Sequence, residues 1–253
     1  MDFKLINKKF IPIFIRSFFI QAVWNFKSLL SIGWTFSLIP VGKSIFKDEV
    51  RYKKFLYRHL SFFNAHPYFA SFALGAIAKL EEDFARSGED DSGKIEKFKN
   101  AMIGPLGAVG DQLFWAVIKP ACILVGFLGV LIMPELYQKL IFIFIFLILY
   151  NIPHIYIRYI GIARGYSEGL SIYRKLNMDN FANWQFVYSL IGGLAFSVII
   201  GYLVYRSTQN GLIELVIFGM SFGIAFFLRS QRRMTYLPIL IPLIISIIIG
   251  III

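Results

Sequence analysis

The residues best suited to chemistry begin with a stretch of the chain that joins a proline break to a pair of acids. It starts at His66-Pro67, passes Gly75 and reaches the adjacent carboxylates Glu81 and Glu82, with apolar residues filling the intervals. Carboxylates, an imidazole and a broken backbone are costly beside membrane-depth helices, where unpaired polar groups are not tolerated. Such residues usually mark a path for something polar.

A second stretch follows after a polar segment. It reads Gly104-Pro105-Leu106-Gly107-Ala108-Val109-Gly110-Asp111-Gln112-Leu113-Phe114-Trp115. Glycines three residues apart form a smooth stripe on a helix, which favours close helix packing. They do not match the dinucleotide fingerprint, because no βαβ unit surrounds them. Asp111 is placed to cap a helix that begins near Gln112, and a pathway role for its charge is the alternative.

Three other motifs do not predict a catalytic or metal site. The run Pro40-Val41-Gly42-Lys43-Ser44 resembles the end of a phosphate-binding loop, but Ser37 stands where that motif needs its first glycine. The three histidines (59, 66 and 154) lack the spacing of zinc ligands. No nucleophile–base set is present either, so we predict no catalytic residue, no metal and no cofactor.

The composition predicts an all-α membrane protein. Of 253 residues, 57% are hydrophobic and only 16% are charged, whereas a soluble domain carries about 25% charged residues. Apolar runs long enough to cross a bilayer predict about five transmembrane helices, at 113–133, 140–157, 186–205, 212–228 and 237–253.

Basic residues orient these predicted helices. The net charge is +11, and residues 1–58 alone contain eleven Lys and Arg against three acids. Basic loops beside apolar spans stay cytoplasmic and contact anionic lipid, which explains this charge better than nucleic-acid binding does. We therefore predict a cytoplasmic N-terminus and an external C-terminus.

The first hundred residues are less regular. We expect an amphipathic interfacial helix over 17–39, a solvated basic face over 47–58 and a solvated loop over 86–99. Residues 60–80 are apolar but broken at His66-Pro67, which predicts a helix–break–helix or re-entrant hairpin. Three regions result: a basic cytoplasmic or interfacial segment at 1–60, a motif-bearing core at 61–185 and a C-terminal three-span segment at 186–253.

Several ordered motifs resemble the IID subunit of mannose-family (mannose/fructose/sorbose) phosphotransferase systems. They are Phe63-Asn64-Ala65-His66-Pro67-Tyr68, Leu80-Glu81-Glu82, Gly104 to Asp111, Leu113-Phe114-Trp115, Leu149-Tyr150-Asn151 and Gly165-Tyr166-Ser167-Glu168-Gly169. The resemblance implies a membrane subunit, in the bacterial plasma (inner) membrane, of a phosphoenolpyruvate-dependent uptake system for a hexose. It implies a IIC membrane partner, separate IIA and IIB phosphocarriers, and a trimer of IIC–IID pairs, with no phosphorylated residue in this chain. A scaffold or signalling protein that has lost transport is the alternative.

A hexose would be recognised through its hydroxyl groups and ring faces. The candidates for the binding site or pathway are Asn64, His66, Tyr68, Glu81, Glu82, Asp111, Gln112 and Trp115. The hinge and packing candidates are Pro67, Gly75, Gly104, Pro105, Gly107 and Gly110. Two alternatives remain open for these residues: Glu81 or Glu82 pairs with Lys79 or Arg86 at the surface, and His66 is held by backbone groups freed by Pro67.

Overall fold

Helices account for nearly all regular structure in the computed structural model, which describes residues 8–87, 92–210, 216, 219 and 220. The eight α-helices among these residues are α1 (Ile11–Ser17), α2 (Ser31–Ile45), α3 (Glu49–Leu60), α4 (Ala70–Ser87), α5 (Ser92–Gly110), α6 (Lys119–Ile132), α7 (Leu136–Glu168) and α8 (Ala182–Asn210). A π-helix, Asp111–Ile118, joins α5 to α6. Short 3₁₀ turns lie at Lys8–Phe10, Gly169–Lys175 and Met178–Phe181.

Three helical stretches are long and apolar enough to cross a membrane within this described part. They are Ser92–Ile132, Leu136–Lys175 and Met178–Gln209. They contain the predicted spans 113–133 (up to Ile132), 140–157 and 186–205, which confirms the all-α membrane class. The predicted spans 212–228 and 237–253 lie outside the described residues, apart from positions 216, 219 and 220.

The chain divides into two compact units, Met1–Gly193 and Leu194–Ile253. The core of the first unit is α4, in which every residue from Ala70 to Ala78 is buried. Helix α4 crosses α7 at glycines of both helices. A Cβ at Gly75 would lie 2.0 Å from the Ile162 carbonyl oxygen, and one at Gly165 would lie 2.0 Å from the Phe72 carbonyl oxygen. Glycine is needed at both points because the two backbones touch there.

The interfacial helix predicted over 17–39 is wrong. Helix α1 ends at Ser17, and α2 begins only at Ser31. The Asn25 side-chain oxygen accepts hydrogen bonds from the Lys27 and Ser28 amides at 3.1 and 2.9 Å, which stabilises a turn instead of a helix. Trp34 does not face lipid headgroups, because it is fully buried in the core of this unit.

The solvated loop predicted over 86–99 is also wrong, because α5 begins at Ser92. Ile95, Phe98 and Met102 are buried at helical spacing, and they provide the apolar stripe that anchors this helix. Charged residues between them obscure this periodicity in the sequence. Lys99 is fully buried, and its ammonium donates to the carbonyl oxygens of His59 and Ser61 at 2.9 and 2.8 Å.

Asp111 does not cap a new helix, which corrects the capping prediction. Helix α5 continues through Gly110 into the π-helix, and no side-chain cap is present at that junction. The π-helix, whose turns are wider than those of an α-helix, is explained by Pro120 in the first turn of α6. A proline ring collides with the carbonyl four residues earlier in a regular α-helix, and a π-helical segment relieves that collision.

Candidate functional site

The predicted break at His66-Pro67 is present between α3 and α4. Helix α3 ends at Leu60 and α4 begins at Ala70, so the intervening backbone is not helical. The Phe63 carbonyl accepts from the Leu30 amide at 2.9 Å, and the His66 carbonyl accepts from the Ala70 amide at 2.9 Å. The first bond gives a carbonyl of the break a partner from another part of the chain, and the second, four residues long, leads into the first turn of α4. The helix–break–helix prediction is confirmed for these residues.

A cavity of about 220 Å³ lies against this break. Its lining comes from the turn after α1, the break, α5 and the π-helix, and consists of Gln21, Asn64, Ala65, His66, Pro67, Ile103, Gly107, Asp111 and Trp115. Two residues far apart in sequence, Asn64 and Asp111, therefore meet at one site. We call this group of nine residues the break cavity.

The imidazole of His66 is the most enclosed polar group of the break cavity, at 1% exposed. It stacks on the Phe114 ring, with ring centroids 5.2 Å apart and planes inclined by 19°. Its Nδ1 accepts a hydrogen bond from the Tyr68 amide at 3.3 Å, which realises the predicted contact with backbone near Pro67. Its Nε2 has no hydrogen-bond partner among the described residues.

Asp111 and Trp115 are more open, and both lie on the π-helix. The Asp111 side chain is exposed, and Trp115 is 39% exposed. The Lys119 ammonium lies 4.5 Å from the centroid of the Trp115 ring, so one face of the indole is occupied. A π-helical segment changes the register of side chains on a helix, and such segments are frequent at functional sites.

Glu81 does not belong to the break cavity. Its carboxylate is fully buried, and Arg58 donates to its two oxygens from Nε and Nη2 at 2.8 and 2.6 Å. His59 Nε2 lies 2.8 Å from Glu81 Oε1, and burial lowers the pKa of His59, so a neutral ring donates there. Burial opposes ionisation of Glu81, but these hydrogen bonds outweigh it and hold the pKa of the carboxyl below its ordinary value.

Glu82 points to the other side of α4, as the 100° separation of adjacent helical residues requires. It is nearly buried, pairs with the Lys9 ammonium and accepts from the Tyr166 hydroxyl at 2.6 Å. Arg86 approaches it only at 4.0 Å, and Lys79 pairs with Asp83 instead. The predicted surface pairing with Lys79 or Arg86 is therefore not the main interaction of either acid.

Two further candidates lie away from the break cavity. The Tyr68 hydroxyl is 2.7 Å from the Tyr150 hydroxyl, and the Tyr68 ring stacks on His154. Gln112 is exposed and does not line the cavity. Tyr150, His154 and Gln21 were not among the residues predicted for the site. A polar side chain within an apolar run often has a buried role, and this signal could have identified all three residues.

A buried guanidinium was also missed. Arg158 is 3% exposed, donates to the Ser17 carbonyl at the end of α1, and lies over the Tyr68 and Phe18 rings at 4.9 and 5.0 Å from their centroids. A charge inside an apolar helix is a signal for a buried role. Here it donates to the carbonyl of the last residue of α1.

The glycine candidates separate into two kinds. A Cβ at Gly75 or Gly110 would collide, at Gly110 with the His66 Cβ at 2.2 Å. A Cβ at Gly104 or Gly107 would meet nothing within 4 Å among the described residues. Gly104 and Gly107 therefore make no close helix contact with other described residues, unlike the packing that was predicted for them. Pro105 lies inside α5, where the helix continues past it.

The break cavity offers a carboxylate, an imidazole, two amides and an indole, a set suited to binding hydroxyl groups. No group of three or more His, Cys, Asp or Glu that could hold a metal ion occurs within 8–87, 92–210 and the three further described positions. The arrangement of polar groups in the break cavity therefore supports recognition of a polar solute.

Comparison with known proteins gives a family match over almost the whole chain. The model of the PTS system mannose/fructose/sorbose family IID component matches residues 4–253. The mannose-specific EIID component of Escherichia coli K12 is 35% identical over 175 residues, which cover 68% of this chain and 60% of that protein. The fructose permease IID component of Bacillus subtilis is 30% identical over 173 residues, covering 68% and 61%. The matched region thus spans less than two thirds of these relatives' length.

Solved structures agree with this match. The chain resembles a subunit in the cryoEM structure of the mannose transporter ManYZ with microcin E492, with a TM-score of 0.58 and 26% identity over 98% of this chain and 96% of that one. A second structure, described as a membrane protein, gives a TM-score of 0.69 at 26% identity over 98% and 97% of the two chains.

Proposed function

This chain belongs to the mannose/fructose/sorbose family of phosphotransferase-system IID components, and we propose that it is a membrane subunit for uptake of a hexose. Its partner in the pathway is a IIC membrane subunit, and separate IIA and IIB proteins phosphorylate the sugar. The proposed assembly is a trimer of IIC–IID pairs in the bacterial inner membrane. The family match over residues 4–253 carries this proposal.

We propose that the break cavity is this subunit's contribution to the pathway. Asn64, His66, Asp111 and Trp115 are the candidates that line it, together with Gln21. Tyr68 holds the His66 ring, because its backbone amide donates a hydrogen bond to Nδ1. Glu81 and Glu82 do not contact the cavity; their carboxylates hold α3, α7 and the 3₁₀ turn before α1 against α4.

We further propose that the regions 1–60, 61–185 and 186–253 have different tasks. The basic first region contacts anionic lipid on the cytoplasmic side. The second contains the break cavity. The third anchors the subunit in the bilayer through its apolar spans.

The direct test is sugar uptake by the complete system. The chain is expressed with its IIC, IIB and IIA partners in cells that lack other hexose uptake, and accumulation of phosphorylated mannose, fructose and sorbose is measured. We expect accumulation of at least one of them, dependent on this chain. Co-purification with IIC without accumulation of any of these sugars would favour the scaffold alternative.

Asp111→Asn tests the break cavity within that system. A carboxylate that accepts hydrogen bonds from sugar hydroxyls is worth more than an amide by about 1–2 kcal/mol, so uptake should fall about tenfold. The variant should insert and assemble normally, because Asp111 is exposed and caps no helix. Asp179→Asn, at an exposed acid remote from the cavity lining, is the matched control and should retain uptake. Equal uptake by both variants would exclude a role for the Asp111 charge.

A further inference from the structure

The tautomer of His66 follows from its backbone contact. The Tyr68 amide is a donor, so the Nδ1 atom that receives it at 3.3 Å must carry a lone pair and no proton. No carboxylate forms an ion pair with His66 within the described part of the chain that would favour a charged ring. The neutral ring therefore carries its proton on Nε2.

The ring is held in one place by its neighbours. It lies between the stacked Phe114 ring and the Tyr68 ring, which meets it edge-on with centroids 4.9 Å apart. Gly110 allows this approach, since any Cβ there would lie 2.2 Å from the Cβ of His66. Trp115 covers another side, with ring centroids 5.2 Å apart. His66 lines the break cavity, and Nε2 is its ring nitrogen without a hydrogen bond among the described residues.

The Nε2–H group is buried and has no acceptor among the described residues. An unpaired buried donor is destabilising, and most such groups in folded proteins find a partner. The same ring lines a cavity that also presents Asn64, Gln21 and Asp111. A solute that occupies the cavity can supply the missing acceptor, and a neutral donor suits an uncharged hydroxyl oxygen.

We infer that His66 determines sugar specificity, by donating a hydrogen bond from Nε2 to one hydroxyl oxygen of a hexose bound in the break cavity. This inference rests on the proposed uptake function and adds to it a single donor–acceptor pair. A neutral hydrogen bond contributes about 0.5–1.5 kcal/mol, so loss of the hydroxyl should weaken binding up to about tenfold.

The test combines variants of the protein with variants of the sugar. The complex of this chain with its IIC partner is purified, and binding of mannose, fructose and sorbose is measured by calorimetry. The sugar that binds best is then compared with analogues that each lack one hydroxyl. In the wild-type complex, one analogue should bind about tenfold more weakly because of its lost contact with His66. In the His66→Phe complex, that analogue should bind as well as the parent sugar, while the ratios for the other analogues stay unchanged.

His154→Phe is the matched control. His154 is also a buried histidine with an unpartnered ring nitrogen, and it packs against the same Tyr68 ring, but it does not line the break cavity. This variant should keep the wild-type ratio for every analogue. A loss of discrimination in both variants would indicate general disturbance of the aromatic cluster and would overturn the inference.

A second pair of variants covers the case in which His66→Phe does not assemble. His66→Gln retains an N–H donor, whereas His66→Met has a side chain of similar length without one. Discrimination against the critical analogue should persist in part with Gln and disappear with Met. Sugar binding with wild-type ratios in the donor-free variants would overturn the inference alone. Absence of sugar binding by the wild-type complex would overturn the proposed function as well.

Discussion

At the scale of residues, the acids of α4 hold this unit together. Glu81 joins α4 to α3 through Arg58 and His59. Glu82 joins α4 to α7 through Tyr166, and to the 3₁₀ turn before α1 through Lys9. Adjacent carboxylates on one helix thus connect elements on two sides of it. Polar residues inside an apolar core are tolerated when each has its partners, and here the partners come from distant parts of the chain.

Glu81→Gln should destabilise the folded protein by about 3–5 kcal/mol, because it leaves the Arg58 guanidinium without its carboxylate. The midpoint of thermal unfolding in detergent measures this loss. Asp83→Asn on the same helix is the control, since the Lys79–Asp83 pair is partly exposed and worth less than about 1 kcal/mol. Similar midpoints for both variants would show that the buried pair adds no stability.

Acid should lower the stability of the wild-type protein more than that of the Glu81→Gln variant. The folded-state pKa of Glu81 lies below its ordinary value of 4.5, so its stabilisation is complete above the unfolded pKa and is lost as pH falls through the folded pKa. The wild-type protein should therefore lose stability below about pH 4.5 more steeply than Glu81→Gln does. Unfolding midpoints at a series of pH values between neutrality and pH 3 test this difference. Parallel curves would contradict it.

At the scale of elements, the crossing of α4 and α7 depends on the absence of side chains. Gly75 on α4 and Gly165 on α7 each face a backbone oxygen at a distance that no Cβ could occupy. The two helices can approach this closely only with glycine at both points, which positions the break at the start of α4. By contrast, Gly107 on α5 borders open space and lines the break cavity.

Gly75→Ala should therefore separate the two helices and destabilise the protein by about 1–3 kcal/mol or more. Gly107→Ala should be neutral or slightly stabilising, because alanine favours helix over glycine by up to about 1 kcal/mol. Thermal unfolding of the two variants provides the comparison. Gly107→Leu should preserve folding but reduce sugar uptake, since the larger side chain would fill part of the break cavity. Loss of folding in Gly107→Ala would contradict this assignment of the two glycines.

At the scale of the whole molecule, charge and apolar length define the relation to the membrane. The spanning helices Ser92–Ile132 and Leu136–Lys175 are joined at residues 133–135, and the second of them ends among Arg174 and Lys175. The positive-inside rule predicts that this basic end lies in the cytoplasm and that residues 133–135 lie outside. The N-terminal excess of Lys and Arg agrees with this orientation.

This orientation predicts the labelling of introduced cysteines. In a Cys122→Ala background, Tyr137→Cys should react with a membrane-impermeant thiol reagent added to intact cells. Tyr173→Cys should react only after the cells are opened. Both tyrosines are more than half exposed, at 62% and 54%, so access is set by the side of the membrane. Labelling of Tyr173→Cys in intact cells would reverse the orientation.

The sequence alone determined the membrane class, three of its spanning regions, the break at His66-Pro67 and the family resemblance. These features depend on local properties, namely apolar length, the missing amide of proline and ordered motifs. It also selected Asn64, His66, Asp111 and Trp115, which the fold brings to one cavity. The predictions for 17–39 and 86–99 were wrong. A turn stabilised by Asn25 interrupts the first segment, and charged residues hide the apolar stripe of α5 in the second.

Only the tertiary structure decided the partners of the polar groups. Glu81 and Glu82 had the same sequence signature as Asp111, yet they are buried against Arg58 and Lys9 while Asp111 faces the break cavity. The glycines likewise divided into contact points and open positions. The physical reason is that burial and pairing depend on which distant helices approach a residue, and local sequence does not specify that approach.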